Sequence, residues 1–146
     1  MQTAATKAPW HLWVVGIIAV LFNSIGVFDF VMSRIQGPAY MASAGMTPEQ
    51  IAHYQQMPAW MTIVWALGVF TAFGASILLL MRRKSAVPIF FLSLTVFLLS
   101  QFYTYVLTNG GDIMGGKMAI ASLVIAVLLL LFGLYARWAK KRLILR

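Results

Sequence analysis

Four uninterrupted apolar runs occupy most of this 146-residue sequence, and each is about as long as a bilayer is thick. They are Trp13–Ser33, Ala59–Met81, Ala86–Thr108 and Met118–Ala136. At a rise of about 1.5 Å per residue, about 20 residues cover a hydrocarbon core of about 30 Å. Hydrocarbon offers the backbone no hydrogen-bond partner, so each run must be helical. The expected fold is all-α: a polytopic membrane protein, built as a four-transmembrane-helix antiparallel bundle. The loops are too short to build a second core, so residues 1–146 read as a single integral membrane domain whose first partner is the lipid bilayer.

Composition agrees with that reading and excludes several functions. Only 10% of residues are charged, against about 25% in a soluble domain. There is no cysteine, which removes disulfides, thiol chemistry and cysteine metal sites. His11 and His53 lie far apart and lack metal-ligand spacing. No cofactor is expected. The net charge of +8 invites a nucleic-acid partner, but its distribution argues for orientation instead. Lys7, Arg82, Arg83, Lys84, Arg137, Lys140, Lys141, Arg142 and Arg146 all fall on one side of a four-span topology, leaving Arg34 and Lys117 on the other. The positive-inside bias then puts both termini in the cytoplasm. The first span has a longer apolar stretch than a signal peptide and no small-x-small cleavage pattern, so it reads as a retained helix.

Several local features refine the outline. Met1 to Ala8 read as a polar tail. Gly16, Ala19, Asn23, Gly26, Phe30 and Ser33 share one face of the first span, and Gly68, Ala72 and Ser76 form a small-residue seam in the second; both allow close helix approach. Gly37 and Pro38 end the first helix. Thr47-Pro48-Glu49-Gln50 carries the signature of a capping box, so a short outer-surface helix should run to about Met57 between spans one and two. Arg82-Lys84 makes a tight turn, and Pro88 falls in the first turn of span three, where a missing N–H costs nothing. Gly110-Gly111-Asp112 and Gly115-Gly116 read as flexible turns. Span four is almost featureless and reads as mainly lipid-facing, ending in an interfacial anchor from Arg137 to Arg142.

One constellation stands out. Asp29 is the only acid within a span, and intramembrane acids normally face protein or water. It lies roughly 24 Å along its helix from Trp13, and Gln101 roughly 22 Å from Ala86, so both sit at similar depth near the outer face. On a regular helix Tyr105 and Asn109 stack one and two turns above Gln101. A polar pocket is therefore expected from Asp29, Asn23, Gln101, Tyr105 and Asn109. Arg34 is the candidate counter-ion, and Phe28, Phe30, Phe102 and Tyr103 are candidate walls. Competing readings are plainer: Asp29 pairs with Arg34 or Ser33 at the interface, and Asn23 and Gln101 serve as interhelical bonds. His53 is expected in solvent.

The segment Gly111–Lys117 matches G-x-x-x-x-G-K, but Met118 follows where a P-loop needs Ser or Thr. No paired acids or nucleophile appear, so an enzyme is not expected. Pro9-Trp10-His11-Leu12-Trp13, Pro38-Ala39-Tyr40-Met41, Thr47-Pro48-Glu49-Gln50, Pro58-Ala59-Trp60 and Ala86-Val87-Pro88 give the chain a further identity. In these stretches it resembles a group of short four-span proteobacterial inner-membrane proteins often labelled sugar transporters. That resemblance implies a transporter-like role on a sugar or other small solute. Length and span count are also similar to the small multidrug transporters, whose first span carries an acid. The alternative is a non-catalytic subunit of a larger membrane complex. A homodimer is compatible with the transporter reading.

Overall fold

The structure, a computed structural model, describes residues 7–146; most of the tail read from Met1 to Ala8 lies outside them. The described chain is helical throughout: α1 (Trp10–Ile35), α2 (Pro38–Ser43), α3 (Pro48–Gln55), α4 (Ala59–Leu80), α5 (Ala86–Phe102, continued by a π-helical turn over Tyr103–Leu107) and α6 (Gly110–Lys141). Four of these, α1, α4, α5 with its π turn, and α6, are long and apolar enough to cross a membrane. The all-α four-helix membrane bundle is therefore the fold, with α2 and α3 forming a cap between spans one and two.

One of these details differs from the sequence expectation. Pro38 does end α1, but it also occupies the first turn of a new six-residue helix, because Gly37 takes φ 57° and turns the chain. The capping box forms as expected: the Gln50 N–H donates to Thr47 Oγ1 at 3.3 Å, and the Thr47 N–H donates to Gln50 Oε1 at 3.1 Å. Pro58 then serves as the N-cap of α4.

Packing follows the small residues. α4 lies between α1 and α5, and α6 packs on α5. Gly16 lets α1 approach α4 so closely that a Cβ there would overlap the Leu80 side chain. Asn23 donates to Ser76 Oγ at 2.8 Å, and Ser76 in turn donates to the Ala72 carbonyl at 2.8 Å. Ser93 of α5 donates to the Gly68 carbonyl of α4 at 3.0 Å. α1 and α6 are joined by side chains: His11 Nδ1 is hydrogen-bonded to Tyr135 Oη at 2.6 Å, and the Phe22 and Phe132 rings lie 6.3 Å apart.

α6 is mainly outward-facing, as expected, with one stripe turned into the bundle. Leu123, Val124, Val127, Leu131 and Leu134 are exposed, but Leu129, Phe132, Gly133, Ala136 and Ala139 are buried against the bundle. Helical periodicity is hard to see in a run where both faces are apolar, since lipid and core accept the same residues.

The basic end of the bundle is closed by the chain terminus. α4 and α6 both end in Schellman motifs with a side-chain-bearing residue, not glycine, in the left-handed position: Arg82 at φ 59° and Leu143 at φ 58°. Arg83 N–H donates to the Leu78 carbonyl, and Ile144 N–H to the Ala139 carbonyl, each at under 3.0 Å (2.8 and 2.9 Å). The two exits then pair. Arg146 N–H donates to the Arg82 carbonyl at 2.6 Å, Lys84 N–H to the Arg146 carbonyl at 3.0 Å, and Arg82 Nε to the Ile144 carbonyl at 2.9 Å. Such φ values cost about 1–2 kcal/mol per residue. What offsets them is burial of Ile144 and Leu145 among Leu12, Leu79, Ala86, Phe90 and Ala139.

Candidate functional site

The polar residues on the inner faces of the helices converge on one cavity of about 420 Å³ in the half of the bundle under the cap. Its floor is the Asn23–Ser76 bond, with Ala72 and Leu129 beside it. Its middle is walled by Trp65 of α4, held by the Phe30 ring edge-on at 5.0 Å and the Tyr54 ring at 5.8 Å. Its roof comes from the cap: Tyr40, Met41, Met46, Tyr54 and Met57 line it.

Asp29 lines this cavity as its only acid, and Tyr40 of α2 donates its hydroxyl to Asp29 Oδ1 at 2.9 Å. That bond ties the cap to α1. The Tyr40 hydroxyl is held above its ordinary pKa of 10.0, first by the hydrogen bond to Asp29, then by burial and by the negative charge of the carboxylate. Tyr54 is likewise pushed up, by burial first and by Asp29 next, so it stands in the field of the same acid.

The cap is tied to α6 as well. α6 is broken at Gly115, which has φ 66° and ψ −176°, so the turn before it has carbonyls without helical partners. Gln50 Nε2 donates to the carbonyls of Ile113 and Met114, each at 3.3 Å. One side chain thus completes the capping box of α3 and satisfies the break in α6.

Of the expected pocket, Asp29, Asn23 and Gln101 line the cavity. Gln101 faces Asp29's cavity from α5; among the described residues its side chain makes one long hydrogen bond, at 3.5 Å to Ser100 Oγ. Most of its bonding capacity is therefore open. Tyr105, Asn109 and Arg34 are not in the lining. The π turn explains the first two. It widens α5 over Tyr103–Leu107 and rotates Tyr105 off the Gln101 face, where it packs beside Gly111. Thr108 is extended (φ −129°, ψ 172°), so Asn109 leaves the helix and becomes the exposed N-cap of α6. Arg34 is exposed, and the hydrogen-bond partner of Asp29 is Tyr40. Of the expected walls, Phe30 stands behind Trp65. Phe28 and Phe102 are exposed, and Tyr103 packs on Trp60 at 5.1 Å.

Tyr40, Tyr54 and Trp65 are among the cavity residues outside the expected pocket. Trp65 carried a usable signal: a tryptophan well inside a span, away from the interfacial belt, usually packs inward. His53 is not solvated as expected. Its Nε2 is buried without a hydrogen-bond partner among the described residues, and burial pulls its pKa below the ordinary 6.5.

The interior of the basic end is filled with apolar side chains, Leu12, Leu79, Phe90 and Ala136 among them. No group of three or more metal-ligating acids, histidines or cysteines is found there or elsewhere among the described residues. No protein-family model, curated protein or solved structure matches the chain.

Proposed function

We propose that this chain is a transporter-like inner-membrane protein. Both termini are cytoplasmic, and a small neutral or cationic solute binds in the cavity beneath the outward-facing cap. The observation that carries the reading is Asp29: an acid at membrane depth, lining a cavity of about 420 Å³ within the usual size of small-ligand sites. Intramembrane acids are retained mostly where they serve a pathway or ligand. Asp29 is the only acid of the lining and no basic side chain joins it there, so an anionic solute meets repulsion. The Trp65 ring offers an apolar platform, and Gln101, Ser100 and Thr104 offer donors and acceptors along one wall. A sugar or another polyhydroxy compound fits that mixture of one flat apolar face and dispersed polar groups. The cap is the gate of this reading, latched by Tyr40 to α1 and by Gln50 to α6.

The test is uptake into proteoliposomes by wild type, Asp29→Asn and Trp65→Leu, screened over neutral sugars and small organic cations. The reading expects at least one solute whose uptake falls about tenfold or more in both variants while each still folds and inserts. Equal uptake by all three proteins for every transported solute contradicts it.

A further inference from the structure

The chain carries a second concave site, on the opposite end and on the outside of the bundle. At the level of Gly133 the α5–α6 contact is tight: a Cβ there would sit 3.3 Å from the Phe91 ring. One turn nearer the basic end, a groove of about 530 Å³ is lined by Val87 and Phe91 of α5 and by Arg137, Lys140, Lys141 and Leu143 at the end of α6. Arg137, Lys140 and Lys141 are spaced i, i+3, i+4, so they project from one face of the helix. All three are exposed.

Three like charges on one helix face repel each other unless something neutralises them. Among the described residues no acidic side chain lines the groove with them. The chain has three acids, Asp29, Glu49 and Asp112; Asp29 lies under the cap, Glu49 begins α3, and Asp112 sits in the first turn of α6 at the cap end. The other cations of the basic end lack this setting. Arg142 lies over the Trp138 ring at 5.8 Å, and Arg83, Lys84 and Arg146 line no part of the groove.

We infer that the groove between α5 and α6 binds an anionic phospholipid, its phosphate among Arg137, Lys140 and Lys141 and an acyl chain along Val87 and Phe91. Charge complementarity selects the headgroup, and the apolar wall immediately below the cations selects a lipid over a free anion. Basic pockets between spanning helices are suited to such headgroups. This site is independent of the cavity under the cap.

Native mass spectrometry of the purified full chain, titrated with phosphatidylglycerol and separately with phosphatidylcholine, tests it. The expected result is one tight phosphatidylglycerol, absent with phosphatidylcholine and not displaced by millimolar inorganic phosphate. The Arg137→Gln/Lys140→Gln/Lys141→Gln variant should bind it about tenfold or more weakly, while Arg83→Gln/Lys84→Gln/Arg146→Gln, which removes the same charge, should change affinity less than about threefold. Val87→Trp, which fills the groove and keeps every cation, should also weaken binding, and it decides the matter should the triple variant fail to fold. Equal losses in the two triple variants, displacement by phosphate, or equal binding of phosphatidylcholine overturns the assignment.

Discussion

The two ends of this bundle are built from the same residue types and packed in opposite ways. At the basic end, Leu12, Leu79, Phe90, Ala136 and Ala139 are buried together, and the chain terminus folds back to insert Ile144 and Leu145. Its polar groups there are mostly backbone, spent on two Schellman ends and the pairing between them, with the His11–Tyr135 and Arg82–Ile144 bonds beside them. At the cap end the helices diverge around a cavity, and the polar groups are side chains left partly unbonded. In a bilayer there is little hydrophobic drive between helices; close packing and interhelical bonds hold them together. A region that forgoes packing must be held by something else, and here it is held by a few specific bonds: Tyr40 to Asp29 and Gln50 to the carbonyls before Gly115. A solid end fixes the helices, and in the proposed function the hollow end is the one that opens to admit a ligand.

The contrast is breakable by substitution. Phe90→Ala, in the solid end, should cost about 3–5 kcal/mol, read as a large fall in the thermal midpoint of the detergent-solubilised protein. Trp65→Ala removes a larger side chain but from the wall of an existing cavity, so it should cost less than Phe90→Ala; the reverse order would mean that the cap half is the better packed. Gly110→Ala should come next, at about 1–3 kcal/mol. Its Cβ would lie 2.5 Å from the Thr104 carbonyl oxygen, the acceptor of the Thr108 hydroxyl, so the π turn must shift. Hydrogen exchange over Tyr103–Leu107 should rise in that variant and stay unchanged at the basic end. Asn23→Leu should cost about 0.6–2 kcal/mol, the usual range for an interhelical bond in a membrane, measured by the same thermal shift.

The smallest effect is one of pH. His53 has its pKa lowered by burial, so the undocked cap binds the proton more readily than the docked one. Docking should be fully stable above 6.5 and weaken as pH falls through the lowered value. The hydrogen-exchange protection of residues 49–55, measured relative to the intrinsic rate at each pH, should therefore fall on acidification, and His53→Phe should remove most of that dependence.

Which of these features could be read in the sequence follows from what each depends on. Span length is dictated by bilayer thickness, so three runs were placed to within about three residues, and the capping box of α3 was legible because it is local chemistry over four residues. The fourth span runs further both ways than its apolar core, since the membrane pattern ends where Lys117 and Arg137 begin but the backbone stays helical. The small-residue stripes of α1 and α4 marked their contact because close approach has one compositional signature. The candidate site was half legible. Asp29 and Gln101 are legible from polarity at matched depth, and Asn23 from its place below Asp29 on the same helix. Tyr105 and Asn109 were placed on the same face by assuming a regular helix, and a π turn leaves no sequence trace to correct that. Tyr40 and Tyr54 come to the cavity only through how the cap folds, which no periodicity encodes. The inserted C-terminal tail was equally hidden: four residues with three apolar members look like any end.

Because the chain contains no cysteine, single-cysteine labelling reads the hollow end without background. Ser100→Cys, Gln101→Cys and Ala121→Cys place a thiol on the cavity wall, and Leu98→Cys and Val127→Cys place one at similar depths on the exposed outer surface. A membrane-impermeant maleimide applied to the cap side of proteoliposomes should label the first set and spare the second, with labelling slowed by a solute that the protein transports. Equal protection of both sets would mean a closed, dry bundle, and the cavity beneath the cap would not be a binding site.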